Sequence, residues 1–329
     1  MLQIFKDNQL FNALLVIPYL LVLSMNSWLL PVELSFSDSI QGSLSTWLFS
    51  VTQEAFVRYL LFFVVVLFQA YLFNGIINFF KLAKSPTYIS AVCFVLLHFI
   101  GFDIDVFNPL LLANTFLLLA LYSLFASYNK KVSMSTVFNI GFFIGLAVLF
   151  YHSHIVYFYW SLFAFLIVRS FDLKEFLILI SGFLVPLFLM ATYQFLQNNL
   201  DGWLQADFYR HYGPVQFYFE FDVEWYIVVV ACLLIYSMAI TNIQNIYFKT
   251  SAKEKKFISC LFIMPVFSAL SYFLQSEIYH FHFASFIISI SALLSLSLHS
   301  FKNQLLVEAV HFVLFMTCLG IQYQDLFFK

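Results

Sequence analysis

The chain reads as a succession of long apolar runs separated by short polar stretches. Eleven runs approach the roughly 20 mostly apolar residues that a membrane-spanning helix needs. They cover about 11–32, 56–80, 88–102, 108–127, 135–151, 154–170, 175–197, 224–246, 257–275, 280–299 and 304–323. The third and fifth are short, as tilted, distorted or re-entrant helices would be. The runs are continuous, without the residue-by-residue alternation of a transmembrane β-strand. The opening MLQIFKDNQLFNALLVIPYLL has one lysine before an apolar stretch but continues as SMNSWLLPV. No small-residue cleavage site follows, so this run reads as a retained first span.

The polar positions between the runs orient them, because basic residues collect in loops on the cytoplasmic side. With the N-terminus inside, the inner loops hold Lys6, Lys81, Lys84, Lys130, Lys131, Arg169, Lys174, Lys249, Lys253, Lys255, Lys256 and Lys302. That is twelve of the 15 Lys and Arg; Arg58, Arg210 and Lys329 fall outside. The alternation holds through all eleven runs and predicts an N-in, C-out topology. The outer face also carries twelve acidic residues, for a net of −9, and the remainder nets +7, reproducing the overall −2.

Composition fixes the solvent. Of 329 residues, 63% are hydrophobic, 21% aromatic and 10% charged, with 46 Phe and a mean hydropathy of +0.91. Soluble domains have about 25% charged residues, so a soluble enzyme, a disordered chain and a secreted disulfide scaffold are excluded. No basic run stands clear of the apolar segments, which argues against a nucleic-acid partner. Cys93, Cys232, Cys260 and Cys318 lie inside apolar runs without a CxxC pair and read as small core residues. The expected fold is an all-α polytopic helical bundle of about eleven transmembrane helices in one membrane domain, 1–329, multi-pass in a bacterial inner membrane.

Two outer loops are long. Loop 33–55 repeats Ile40, Leu44, Leu48 and Val51 at helical spacing between polar residues, which predicts a short amphipathic helix on the membrane surface. Loop 198–223 mixes eight aromatic residues with Asp201, Asp207, Arg210, His211, Glu220 and Asp222, a composition suited to a headgroup zone or a half-polar cleft. Near these loops sit Glu54, Arg58, His98, Asp103, Asp105, His152, His154, Glu277, His280 and His282. Ionisable groups at membrane depth are functional candidates by default.

Each has a structural reading beside the functional one. Asp38 has capping-box spacing ahead of a helix beginning at Ile40. Asp103 and Asp105 precede Asn108-Pro109, a helix-start signal. Glu54 and Arg58 stand at i,i+4, the spacing of an ion pair. His152/His154 and His280/His282 suggest zinc, but alternate spacing splits each pair between helix faces, so hydrogen-bonding histidines are the simpler reading and no metal is expected. Gly141 and Gly145 form a GxxxG that favours close helix contact. Glu308, with His311 three residues on, is the residue a proton-coupled transporter would use, although no inverted repeat supports that class. Walker A, HExxH and kinase-type motifs are absent.

The order of parts resembles the GT-C superfamily of polytopic glycosyltransferases: a cytoplasmic N-terminus, loop 33–55 after the first span and loop 198–223 after the seventh. Segment 139–197 has the same texture, with two glycines in one span, a return span ending in Arg169, and Gly182 and Pro186 in the next. This segment is similar too to an uncharacterised family of Bacteroidota membrane proteins. The resemblance divides the chain into a seven-span core (1–197), an outer loop (198–223) and four further spans (224–329). It implies sugar transfer from a polyprenyl-phosphate donor at the periplasmic face, without a cofactor. Asp38, or secondly Glu54, is the nearest match to the catalytic base; Arg58, Arg210 and His211 would supply positive charge for the phosphate. The chain departs from the family in lacking an adjacent acidic pair in the first loop, and its one D-x-D, Asp103-Ile104-Asp105, falls after the third span. The alternatives are a non-catalytic subunit of a larger cell-envelope complex, partnered by proteins as well as membrane lipid, and a proton-coupled transporter.

Overall fold

The computed structural model describes residues 2–29, 42–52, 54–100, 107–128, 133–205, 223–248, 250–272 and 280–323. Among the described residues 85% are helical, and no strand occurs. Each of the eleven apolar runs contains helix. The first is divided at Leu15 into α1 (Leu10–Leu14) and α2 (Val16–Leu29). Then follow α3 (Ser43–Val51), α4 (Ala55–Phe79), α5 (Ile89–His98), α6 (Pro109–Ala126), α7 (Met134–Phe150), α8 (Ile155–Val168), α9 (Leu173–Leu196) and a single turn, α10 (Leu200–Leu204). The chain closes with α11 (Val223–Tyr247), α12 (Ala252–Tyr272), α13 (Ile287–Ser300) and α14 (Gln304–Gln322). Three 3-10 turns, Leu2–Lys6, His152–His154 and His280–Phe286, precede α1, α8 and α13. Six segments (α4, α6, α9, α12, His282–Ser300 and α14) are long and apolar enough to cross a membrane, and five further apolar helical stretches of 10–17 residues, one of them Val229–Asn242 within α11, accompany them. This architecture is compatible with a multi-pass membrane protein.

Local chemistry sets the helix ends. Asn108 caps α6, its side chain accepting the Leu111 N–H at 2.8 Å, with Pro109 at the first helical position. Asn108 itself is thus the cap; Asp103 and Asp105 lie outside the described residues. α4 ends in a Schellman turn: Lys81 has φ 58°, and the Leu82 N–H reaches the Ile77 carbonyl at 2.9 Å. α9 ends the same way through Asn198, φ 54°.

The closest helix contact is between α7 and α9, and glycine makes it possible. A Cβ on Gly141 would lie 2.0 Å from the Leu179 carbonyl oxygen, and one on Gly182 would lie 2.2 Å from that of Phe138. Gly145 abuts Phe183 and Pro186 in the same way. α5 and α13 form the centre. All ten residues of α5 are buried, and its C-terminal carbonyls at Leu96 and Phe99 accept hydrogen bonds from Cys318 and Gln322 of α14.

Two ends of the bundle can be told apart by their chemistry. At one, Arg169 pairs through two nitrogens with Glu175 and reaches the Ser127 carbonyl, tying the ends of α6, α8 and α9. Lys253 and Lys256 lie over Tyr128 beside them. This basic end gathers the C-termini of α4, α6 and α8 and the N-terminus of α12. The opposite end carries α3 and α10.

Candidate functional site

At the α3 end the two long sequence loops meet. Trp203 of α10 donates its indole N–H to the Ser43 hydroxyl of α3 at 2.7 Å. α3 is seated on α7 through Gly42, whose N–H reaches the Phe150 carbonyl at 3.1 Å; a Cβ there would lie 2.1 Å from the Leu149 oxygen. The amphipathic helix is present, but it begins at Ser43 with Gly42 as its N-cap, so Asp38 does not cap it. Its protein-facing side is carried by two other positions. Ser45 and Phe49 are buried, while Leu44 and Leu48 are only partly covered.

Of the sequence-predicted site residues, Asp38, Arg210 and His211 lie outside the described residues. Glu54 is the exposed N-cap position of α4 and makes no side-chain capping bond. Its spacing to Arg58 suggested an ion pair, and none forms between them. Arg58 instead donates from Nε to the Thr52 carbonyl at 2.6 Å, and its guanidinium lies 5.7 Å from the Phe49 ring. That carbonyl sits just past the end of α3, where unpaired acceptors attract cations. Among the described residues Nη1 and Nη2 of Arg58 carry no partner.

A second polar cluster, which the sequence did not reveal, is buried between α6, α8, α12 and the 3-10 turn before α13. His154 and His282, 128 positions apart, both contact Tyr151, with ring centroids 5.4 and 5.6 Å away. The Tyr151 hydroxyl bonds His282 Nδ1, and His282 Nε2 lies 2.9 Å from the Ser271 hydroxyl. This Ser–His–Tyr line has the connectivity of a nucleophile, base and orienting group. Proton accounting assigns it otherwise. Ser271 donates to the Ser268 carbonyl at 2.6 Å, so its oxygen accepts from His282 Nε2–H, and Tyr151 then donates to Nδ1. Histidine is the donor to serine, not its base, and Ser271 is wholly buried.

The rest of the cluster satisfies backbone acceptors of the 3-10 turn. Asn114 donates to Ala284 O at 2.8 Å and accepts from His154 Nε2 at 3.2 Å. Tyr157 donates to Ser285 O at 2.8 Å. A 3-10 segment entering an α-helix changes its hydrogen-bond register, and buried carbonyls left over must be met by side chains. Among the described residues no group of three or more His, Cys, Asp or Glu is placed to hold a metal ion.

Glu308 is occupied as well. Its carboxylate accepts the N–H groups of Leu2 and Gln3 at 3.1 and 2.8 Å, capping the first 3-10 turn, while His311 bonds the Tyr19 hydroxyl at 3.1 Å. His98 is buried among Phe62, Phe94 and Phe99.

A groove of about 670 Å³ runs along the flank between α11 and α14, lined by Val230, Leu234 and Met238 on one side and Val310, Val313 and Thr317 on the other. The Thr317 hydroxyl is turned back to its own helix, bonding the Val313 carbonyl at 2.9 Å, so the surface is apolar throughout this stretch. Tyr226, close to where α11 begins after residues 206–222, lines one end. Comparison with known protein families, with curated proteins and with solved structures finds no match to this chain.

Proposed function

We propose that this chain is a bacterial inner-membrane protein, N-in and C-out across eleven spans, that transfers a sugar from a polyprenyl-phosphate donor at its outer face. The observation that carries the reading is the groove between α11 and α14. It is long, uncharged and open along the flank, as an isoprenoid chain requires, and its Tyr226 end lies three residues after loop 198–223, which holds Arg210 and His211. A donor chain in the groove would bring its phosphate toward that loop. Arg58, fixed by the Thr52 carbonyl and with Nη1 and Nη2 free of partners among the described residues, stands at the same end as the loop's Trp203 contact.

In the transfer, an acceptor hydroxyl attacks the anomeric carbon, and Asp38 or Glu54 takes its proton. The bond to the phosphate oxygen breaks with its electron pair, and polyprenyl phosphate leaves against the positive charge of Arg58, Arg210 and His211.

Liposomes holding the protein and a radiolabelled polyprenyl-phosphate hexose test this by formation of a glycosylated acceptor. Leu234→Trp, which fills the groove, should raise KM for the donor with kcat little changed. Asp38→Asn should lower kcat by about 100-fold or more. Turnover that survives both Asp38→Asn and Glu54→Gln would exclude the catalytic assignment. Absence of any turnover, with a fixed protein partner co-purifying, would mark the chain as a non-catalytic subunit.

A further inference from the structure

The basic end carries a surface that sugar transfer at the opposite end does not use. Its floor is aromatic. Phe125 and Phe257 stack at 4.3 Å, and Phe80 meets each edge-on at 5.5 Å. Above them Lys253 Nζ lies 5.6 Å from the Phe80 ring, 5.5 Å from Phe257 and 5.9 Å from Tyr128. Lys81 follows Phe80 directly and is exposed, held at a backbone φ of 58° where glycine usually stands.

Among the described residues neither lysine forms an ion pair with a carboxylate. Glu254 accepts the Ser251 N–H at 2.9 Å, and Glu175 belongs to Arg169. Among the described residues Lys253 makes no hydrogen bond or ion pair. Ring faces hold an ammonium in place without using its N–H donors, so the donors of Lys253 stay available to an anion.

The cationic surface continues into an apolar one. Phe79 is 67% exposed and Tyr122 41% exposed. Their rings lie 6.1 Å apart, and Phe79 lies 5.0 Å from Phe80. An anion that also carries a hydrocarbon tail would match both surfaces at once, with its phosphate on the lysines and its chain down the flank of α4 and α6.

We propose that Lys81 and Lys253, over the Phe80–Tyr128–Phe257 floor, form a headgroup site for an anionic phospholipid whose acyl chain lies along Phe79 and Tyr122. The phosphodiester accepts from the lysine ammonium groups, the buried rings hold Lys253 in place from below, and the exposed Phe79 and Tyr122 cover the first methylenes. A merely basic rim would attract anionic lipid evenly along its edge; this arrangement concentrates it at one place.

The test uses the full chain in neutral detergent, with retained lipid counted by native mass spectrometry after addition of phosphatidylglycerol, phosphatidylcholine or inorganic phosphate. Phosphatidylglycerol should be retained over phosphatidylcholine. Lys253→Gln and Lys81→Gln should each lower its retention about five-fold. Lys253→Arg should restore it, which separates loss of the site from loss of the fold, and Lys302→Gln, outside the proposed pair at the α13–α14 turn, should leave it unchanged. An equal loss in Lys302→Gln, equal retention of phosphatidylcholine, or displacement of the lipid by millimolar phosphate would each overturn the proposal.

Discussion

The α7–α9 contact and the junction between α12 and α13 solve one problem in opposite ways. In hydrocarbon, apolar side chains gain little by leaving lipid for protein, so helices need close backbone packing or hydrogen bonds to stay together. α7 and α9 use the first device: Gly141, Gly145 and Gly182 let carbonyl groups approach where any Cβ would collide. The 3-10 turn at His280–Phe286 uses the second, with Asn114, His154 and Tyr157 reaching its carbonyl groups or one another. The glycine seam tolerates no added atom. The polar junction tolerates shape changes but no lost partner.

The comparison can be broken by measuring thermal unfolding in detergent. Gly141→Leu should have the largest effect, a loss of more than about 3 kcal/mol or failure to fold, because the atom in its way is backbone and cannot move aside. Asn114→Leu should cost about 1–2 kcal/mol, leaving the Ala284 carbonyl and His154 without their partner. A greater loss for Asn114→Leu than for Gly141→Leu would reverse the ranking of the two devices. The smallest effect belongs to Gly75→Ala and Gly320→Ala, where nothing lies within 4 Å of the new Cβ. These should gain about 0.5–1 kcal/mol each, since a mid-helix glycine there serves no contact. A loss at either would show that glycine acts in these helices by some route other than close approach.

The seam was legible in the sequence and the junction was not. GxxxG places two glycines on one helix face, a local signal that needs no knowledge of the partner. The apolar runs were equally local, and all eleven contain helix, six of them in segments long and apolar enough to cross a membrane. The meeting of His154 with His282 depends on how α8 and α13 are brought together across 128 residues, which periodicity does not encode.

One local signal was overridden. The i,i+4 spacing of Glu54 and Arg58 fits an ion pair, but the carbonyl left over at the end of α3 and the face of Phe49 offer Arg58 a nearer partner set. On α3 the side turned to the protein is set by Gly42, whose backbone contact with Phe150 fixes the rotation, with the Ser45 hydroxyl donating to the Gly42 carbonyl at 2.7 Å. Of the candidate site, only Glu54 and Arg58 fall within the described residues, so the sequence remains the basis for Asp38, Arg210 and His211.

The covered helix α5 has a consequence for biogenesis. Ten residues at 1.5 Å each span about 15 Å, half of a hydrocarbon layer about 30 Å thick. Alone in a bilayer such a segment would suffer severe hydrophobic mismatch, leaving its terminal carbonyls in lipid. Here the Leu96 and Phe99 carbonyls are met by Cys318 and Gln322, 222 and 223 positions later in the chain. The Leu96 carbonyl also accepts the Phe99 N–H at 3.2 Å, so it is the Phe99 carbonyl of this early segment that waits for α14 to emerge. Until α14 arrives, α5 is an unfinished insertion that its neighbours α4 and α6, or the insertion machinery, must shelter.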